Sequence, residues 1–181
     1  MKPPGRSILV VAIVALLALM GGIVYYASLD NEDLSMATIE IDSVEVIDVN
    51  SIENSATLKV TFLVTNPGDV TVTVPVITFE LFADGSFVGN GIYSTEDVAM
   101  PGRAAFYPGA EIPLNTKMSV VMSDMNDMVY NKIISGEAVQ YSATGMLTVE
   151  SAWSIVELDF DTSSWLENLE WAGRDLNSRS L

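Results

Sequence analysis

Two periodicities divide this chain. Residues 7–27, SILVVAIVALLALMGGIVYYA, are apolar without a charged side chain. After Met36 the apolar positions recur at every second residue, the spacing of a strand with one buried face. Ile39 and Ile41 share one phase and Val44 and Val46 the other, which a bulge near Ser43 reconciles. Leu58, Val60, Phe62 and Val64 then alternate with Lys59, Thr61 and Thr65. That strand is cut at Asn66-Pro67-Gly68, where proline lacks a ladder donor and glycine is expected to supply the turn. Ile77, Phe79, Leu81 and Ala83 form a third run, closed by Asp84-Gly85, a two-residue hairpin signal. Residues 87–93 return from it, with Gly89-Asn90-Gly91 predicting a bulge or a second turn.

The carboxyl half continues the pattern. Ala110, Ile112, Leu114, Thr116, Met118, Val120 and Met122 alternate with mostly polar residues, and Pro113 puts that strand at a sheet edge or leaves it paired on one side only at that point. Asp124, Asn126 and Asp127 open a predicted helix over 126–135, in which Met125, Met128, Val129 and Ile133 recur at helical spacing before a Gly136 cap. Val139, Tyr141, Ala143, Gly145, Leu147 and Val149 make a long strand, and Val156, Leu158 and Phe160 a last one. Seven strands with one short helix predict an all-β fold, a seven-stranded antiparallel sandwich of the immunoglobulin or fibronectin type III kind. Its expected core includes Phe62, Phe79, Leu81, Leu114, Tyr141, Leu147 and Leu158.

The apolar segment comes next. As a helix, 21 residues span roughly 32 Å, enough for a hydrocarbon core of about 30 Å. Lys2 and Arg6 flank its near end, Tyr25 and Tyr26 its far end, and Asp30, Glu32 and Asp33 follow. Tyrosines at that position act as interfacial anchors, and the positive-inside rule puts the amino terminus in the cytoplasm and the rest outside. A cleaved secretory signal has a shorter apolar core and a small-x-small site, whereas this segment ends Tyr25-Tyr26-Ala27. A prepilin-type leader cut near Gly5 and Arg6, in the layout of archaeal pilins, is a second alternative. The uncleaved signal anchor fits the length and flanks best. The expected organisation is a cytoplasmic start at 1–6, a membrane helix at 7–27, a linker at 28–36, a sandwich at 37–162 and a tail at 163–181.

Composition removes most chemistry. The chain has neither cysteine nor histidine, so the usual general base, thiolate ligands and commonest transition-metal ligand are all missing. All 24 acidic residues lie at or after Asp30, against 6 basic ones there. Such a surface repels nucleic acid and fits either solubility or a high-salt habitat. Asp124, Asn126 and Asp127 resemble a calcium loop only at its start, because Met128 and Val129 stand where a ligand and glycine are needed. Asp159 and Asp161 share the solvated face of the last strand. No catalytic, metal or cofactor residue is assigned, and no small-molecule substrate is implied.

An alternating strand ending in V-x-N-P, a later apolar strand with a D-G hairpin, and F-V-G-N-G form an ordered set. With the helix at 126–135 and the G-E-A-V-Q-Y-S-A-T-G-M-L stretch, this order resembles the water-stress-and-hypersensitive-response domain of the folded (type 2) late-embryogenesis-abundant proteins. The likeness runs over roughly 38–162. It implies a seven-stranded sandwich with one helix, no established catalysis and an association with desiccation and stress. The hairpin-induced-like plant subgroup has a similar layout of basic start, single span and this domain. Where that family more often carries Asn or another polar residue, this chain has Gly68, a departure expected to affect the turn and not the fold.

The tail differs in character. Ser164 and Glu167 form a capping box, and Trp165, Leu169, Ala172 and Leu176 follow at helical spacing. It either packs on its own sandwich or docks a partner through Trp165, Leu169 and Trp171. The functional expectation is a membrane-anchored, non-catalytic extracellular domain with a binding, stabilising or stress-related role. Its partners are the lipid bilayer through 7–27 and a protein or a second copy. The alternative is a structural subunit of an extracellular filament or a membrane complex.

Overall fold

A computed structural model describes residues 5–95, 105–123 and 127–163. In chain order the elements are α1 (Gly5–Leu34), β1 (Thr38–Asn50), β2 (Ser55–Thr65), β3 (Val72–Ala83), β4 (Ser86–Ser94), β5 (Ala105–Phe106), β6 (Glu111–Val121), α2 (Asp127–Ser135), β7 (Tyr141–Glu150) and β8 (Ile155–Ser163). One sheet has the order β1-β2-β6, the other β4-β3-β7-β8, with β5 paired to the start of β3. Every pairing is antiparallel. There are thus eight strands among the described residues, because the two-residue β5 is too short to leave a periodic signal.

The period-two pattern decides which faces meet. Ala56, Leu58, Val60, Phe62 and Val64 of β2 are buried, as are Ile77, Phe79, Leu81 and Ala83 of β3. The sheets meet where Phe62 packs edge-on against Phe79, ring centroids 4.8 Å apart, with Phe160 of β8 at 6.0 Å. Of the expected core, Phe62, Phe79, Leu81, Leu114 and Leu147 are buried, but Tyr141 and Leu158 are only partly so. Leu158 falls short because β8 is an edge strand. Pro113 lies opposite Leu63 on β6, an edge strand as its missing donor requires.

The register of β1 slips between Ile41 and Ser43, where the sequence predicts a bulge, and again between Val46 and Asp48. Val44 then packs on the core while Val46 is 39% exposed. The Gly89-Asn90-Gly91 stretch makes neither a turn nor the bulge itself. Leu81 faces Gly89 while Phe82 faces Phe87, so the extra residue is Val88. The glycines serve packing instead. Phe79 is in register with Gly91 on one side and Gly145 on the other. A Cβ on Gly91 would fall 2.1 Å from Phe79 Cζ, and one on Gly145 2.0 Å from the Thr78 carbonyl oxygen.

At the end of the domain far from α1, Asp84 and Gly85 take φ values of 48° and 78°, the left-handed pair that a tight hairpin needs. Helix α2 closes this end with Val129, Tyr130 and Ile133 buried. It stops at Gly136, φ 74°, where the Glu137 N–H returns to the Lys132 carbonyl at 3.1 Å. Asp84 joins the two: its carboxylate accepts from Lys132 Nζ at 2.7 Å and from the Gln140 N–H at 3.1 Å. The bond from Lys132, then that from Gln140, lowers the Asp84 pKa, and the same pairing raises that of Lys132.

Replacing Phe79 or Leu147 by alanine is expected to cost about 2–5 kcal/mol in urea unfolding of the chain from Asn31 onward. Gly145→Ala should cost about 1–3 kcal/mol by forcing two strand backbones apart. A neutral outcome at Gly145 would contradict the close approach described here.

Because the folded pKa of Asp84 is depressed, its contribution is complete above the unfolded aspartate value of about 3.9 and is lost as pH falls through the folded one. The group is exposed, so the effect is small and weakens with salt. Stability measured down a pH series below about 4 should fall less steeply in Asp84→Asn than in the wild type.

Candidate membrane-proximal interface

Helix α1 contains no proline and runs 30 residues through the Gly21-Gly22 pair without interruption, about 45 Å. The linker expected at 28–36 is therefore helical as far as Leu34. Its last turn carries no basic residue and includes Glu32 and Asp33, a poor complement to the negative end of the helix dipole. Tertiary contacts hold that end instead. Leu34 is fully buried in the core shared by the sheets. The Met36 and Ala37 N–H groups donate to the Asp33 and Leu34 carbonyls, tightening the exit into β1. Ser154 Oγ donates to Asn31 Oδ1.

Gly68 lies directly beneath this end. A Cβ there would sit 2.9 Å from the Asp33 carbonyl oxygen and 3.2 Å from Asp33 Cβ. Its φ is not among the left-handed ones, which corrects the expectation that glycine is needed for the turn. Glycine is needed because the helix rests on it.

Asn66 holds the turn and is fully buried. Its side-chain Nδ2 donates to the Val70 carbonyl at 2.8 Å and the Phe106 carbonyl at 2.9 Å. Its Oδ1 accepts from the Gly68 N–H at 3.2 Å. Its own N–H donates to the Ala110 carbonyl at 3.0 Å, and its carbonyl accepts from the Gly109 N–H at 2.7 Å. Three segments are tied to one residue: the turn after β2, strand β5, and the β5–β6 turn with its exposed Tyr107. Pro67 is exposed and ends the ladder.

The β7–β8 turn completes this end of the domain. Its donors are met locally: the Ser151 N–H reaches the Ser154 carbonyl at 2.8 Å, and the Trp153 and Ser154 N–H groups reach Ser151 Oγ at 3.2 Å. Trp153 faces Leu19, Gly22, Ile23 and Tyr26 of α1 across an open apolar groove of about 400 Å³. The sequence reading assigned Trp153 no role. Its signal is a tryptophan in an uncharged stretch, Ser151-Ala-Trp-Ser-Ile-Val, bracketed by Glu150 and Glu157.

Among the predicted site residues, Gly68 is thus brought against the end of α1, with Asn66 buried in the same turn and Pro67 exposed. Tyr25 and Tyr26 are exposed on α1, and Tyr26 alone of the two lines the groove. Lys2, Trp165, Leu169 and Trp171 lie outside the described residues, as does the Arg6 side chain. Among the described residues, no group of three or more His, Cys, Asp or Glu could hold a metal ion. Asp159 and Asp161 are exposed on β8. A second hollow, about 550 Å³, follows the seam between the β4 and β6 edges beside Lys59 and Lys117, where Thr116 Oγ1 donates to the Ile92 carbonyl at 2.6 Å.

No protein-family model matches the chain, and no curated protein does. Solved structures do. A crystal structure of a protein from Archaeoglobus fulgidus aligns at 15% identity and TM-score 0.41, over 69% of this chain and 94% of that one. A solution structure of an Arabidopsis thaliana protein aligns at 17% identity and TM-score 0.47, over 71% and 80%. The neighbours include a candidate late embryogenesis abundant protein. That solution structure aligns at 10% identity and TM-score 0.41, over 87% of this chain and 88% of its own. Likeness of this degree carries no functional argument.

Asn66→Ala should strip partners from buried carbonyls and one N–H, costing about 1–3 kcal/mol for each group left unsatisfied. Gly68→Asn should leave the sheets folded but dislodge the helix end. Amide exchange at residues 31–37 is expected to speed up while that of β2 and β7 stays slow, and unchanged exchange at 31–37 would contradict the seat described here.

Proposed function

We propose that this chain is a single-pass, membrane-anchored domain of the water-stress and type 2 late-embryogenesis-abundant kind, with an immunoglobulin- or fibronectin-like sandwich. It acts by association and not by catalysis, in a binding, stabilising or stress-related role. The observation that carries this reading is the continuity of α1. Residues 7–29 hold no charged side chain, about 34 Å of helix, long and apolar enough to cross a membrane. The same helix then buries Leu34 in the domain core. That burial ties the end of the apolar helix to the domain, which fits a retained anchor.

The orientation in this proposal rests on sequence. Lys2 and Arg6 before the span and three acids after it favour an outside domain. The lack of histidine and cysteine leaves acid–base and nucleophilic chemistry without its usual groups, and the acids on the outward face of β8 fit a solvated surface. The lipid bilayer and a protein partner, or a second copy, are the partners proposed.

Protease added to intact cells should remove the domain and leave a small membrane-embedded fragment. A protected domain would reverse the orientation. A mature chain beginning after residue 27 would remove the anchor, and with it the proposal.

A further inference from the structure

We propose that the β7–β8 turn is a second membrane contact, with Trp153 lodged at the hydrocarbon boundary of the leaflet nearest the domain. This rests on α1 crossing the bilayer. Depth follows from helix geometry. If the hydrocarbon layer begins just after Arg6, a thickness of about 30 Å takes up about 20 residues at 1.5 Å each and ends near Tyr26. Trp153 faces Leu19, Gly22, Ile23 and Tyr26, so it reaches about 6 Å beyond Tyr26 toward the bilayer centre. A rigid helix seat makes that depth a property of the fold: Leu34 is buried, and Asn31 is bonded to Ser154 in the same turn.

The turn is built for such a place. Residues 151–156 carry no charge, and three of the turn's N–H groups are satisfied within it, as backbone near hydrocarbon requires. Trp153 and Ile155 remain 69% and 65% exposed. The indole does not close on the helix either, since a Cβ added at Gly22 would meet nothing within 4 Å. What covers these apolar groups comes from outside the described fold, and the groove of about 400 Å³ between Trp153 and α1 fits a lipid chain. Trp is the residue best suited to a boundary that is apolar on one side and wet on the other.

The test uses the full chain with Trp165→Phe and Trp171→Phe, which leaves Trp153 as the remaining tryptophan of three. It is placed in phosphatidylcholine nanodiscs, open to solvent on both faces. Trp153 emission should be blue-shifted, and quenched severalfold more strongly by bromines near the lipid carbonyls than by aqueous iodide. The chain has no cysteine, so a nitroxide at Ala152→Cys gives an independent reading. It should be more accessible to oxygen than to a water-soluble nickel chelate, and a nitroxide at Ile52→Cys, 94% exposed at the opposite end, should show the reverse. Strong iodide quenching in a chain that co-elutes with the disc would overturn this inference and leave the anchor standing. Shielding from both quenchers would overturn it in favour of a protein contact. A chain that elutes apart from the discs would end both.

Discussion

A fully buried side-chain amide must find partners for both its donors and its acceptor, and much of this structure is arranged around one, Asn66. An unsatisfied buried polar group costs about as much as several ordinary hydrogen bonds contribute. The loop after β2, strand β5 and the β5–β6 turn are all positioned to supply those partners. Once the loop is fixed, Gly68 is fixed beneath Asp33, and the end of α1 has its seat. The orientation of the apolar helix on the domain therefore depends on a short polar cluster at the foot of the sheets.

A second constraint shapes the larger sheet. Phe79 crosses the middle of β3 between two glycines: its ring occupies the space a Gly91 side chain would need, and the β3 backbone at Thr78 and Phe79 occupies that of Gly145. Glycine weakens a strand by itself, but here it lets the Phe79 ring pack against Phe62, which in turn meets Phe160. The bulge at Val88 is the accompanying adjustment, shifting the β4 register by one residue just before the first glycine of that group.

Charge acts mainly on the outside. Acids of the strands such as Glu40, Glu80, Glu157, Asp159 and Asp161 alternate with more buried apolar residues, so the strand period itself sends them to water. The Asp84–Lys132 pair is a surface clip joining the hairpin to α2, too exposed to contribute much to stability. Apolar side chains are exposed at both ends of the domain, Tyr107, Trp153 and Ile155 at the foot and Ile52 and Met128 opposite.

Strand positions, the Asp84-Gly85 hairpin, the bulge near Ser43, the edge placement of Pro113 and the Gly136 cap were all legible in the sequence. Each depends on a local rule: period, positive φ, or a missing donor. The Asn66-Pro67-Gly68 cut was visible too, but its reason was not, since only the folded chain brings Asp33 within 3 Å of a Cβ on Gly68. Likewise Gly89-Asn90-Gly91 reads as a bulge or a turn until Phe79 is seen across Gly91. The polar stretch after residue 27 gave no sign of continuing as helix, because buried Leu34, and not local propensity, holds it. Strand β5 and the role of Trp153 were beyond any local rule: both exist only through contacts between segments distant in sequence, which tertiary packing alone decides.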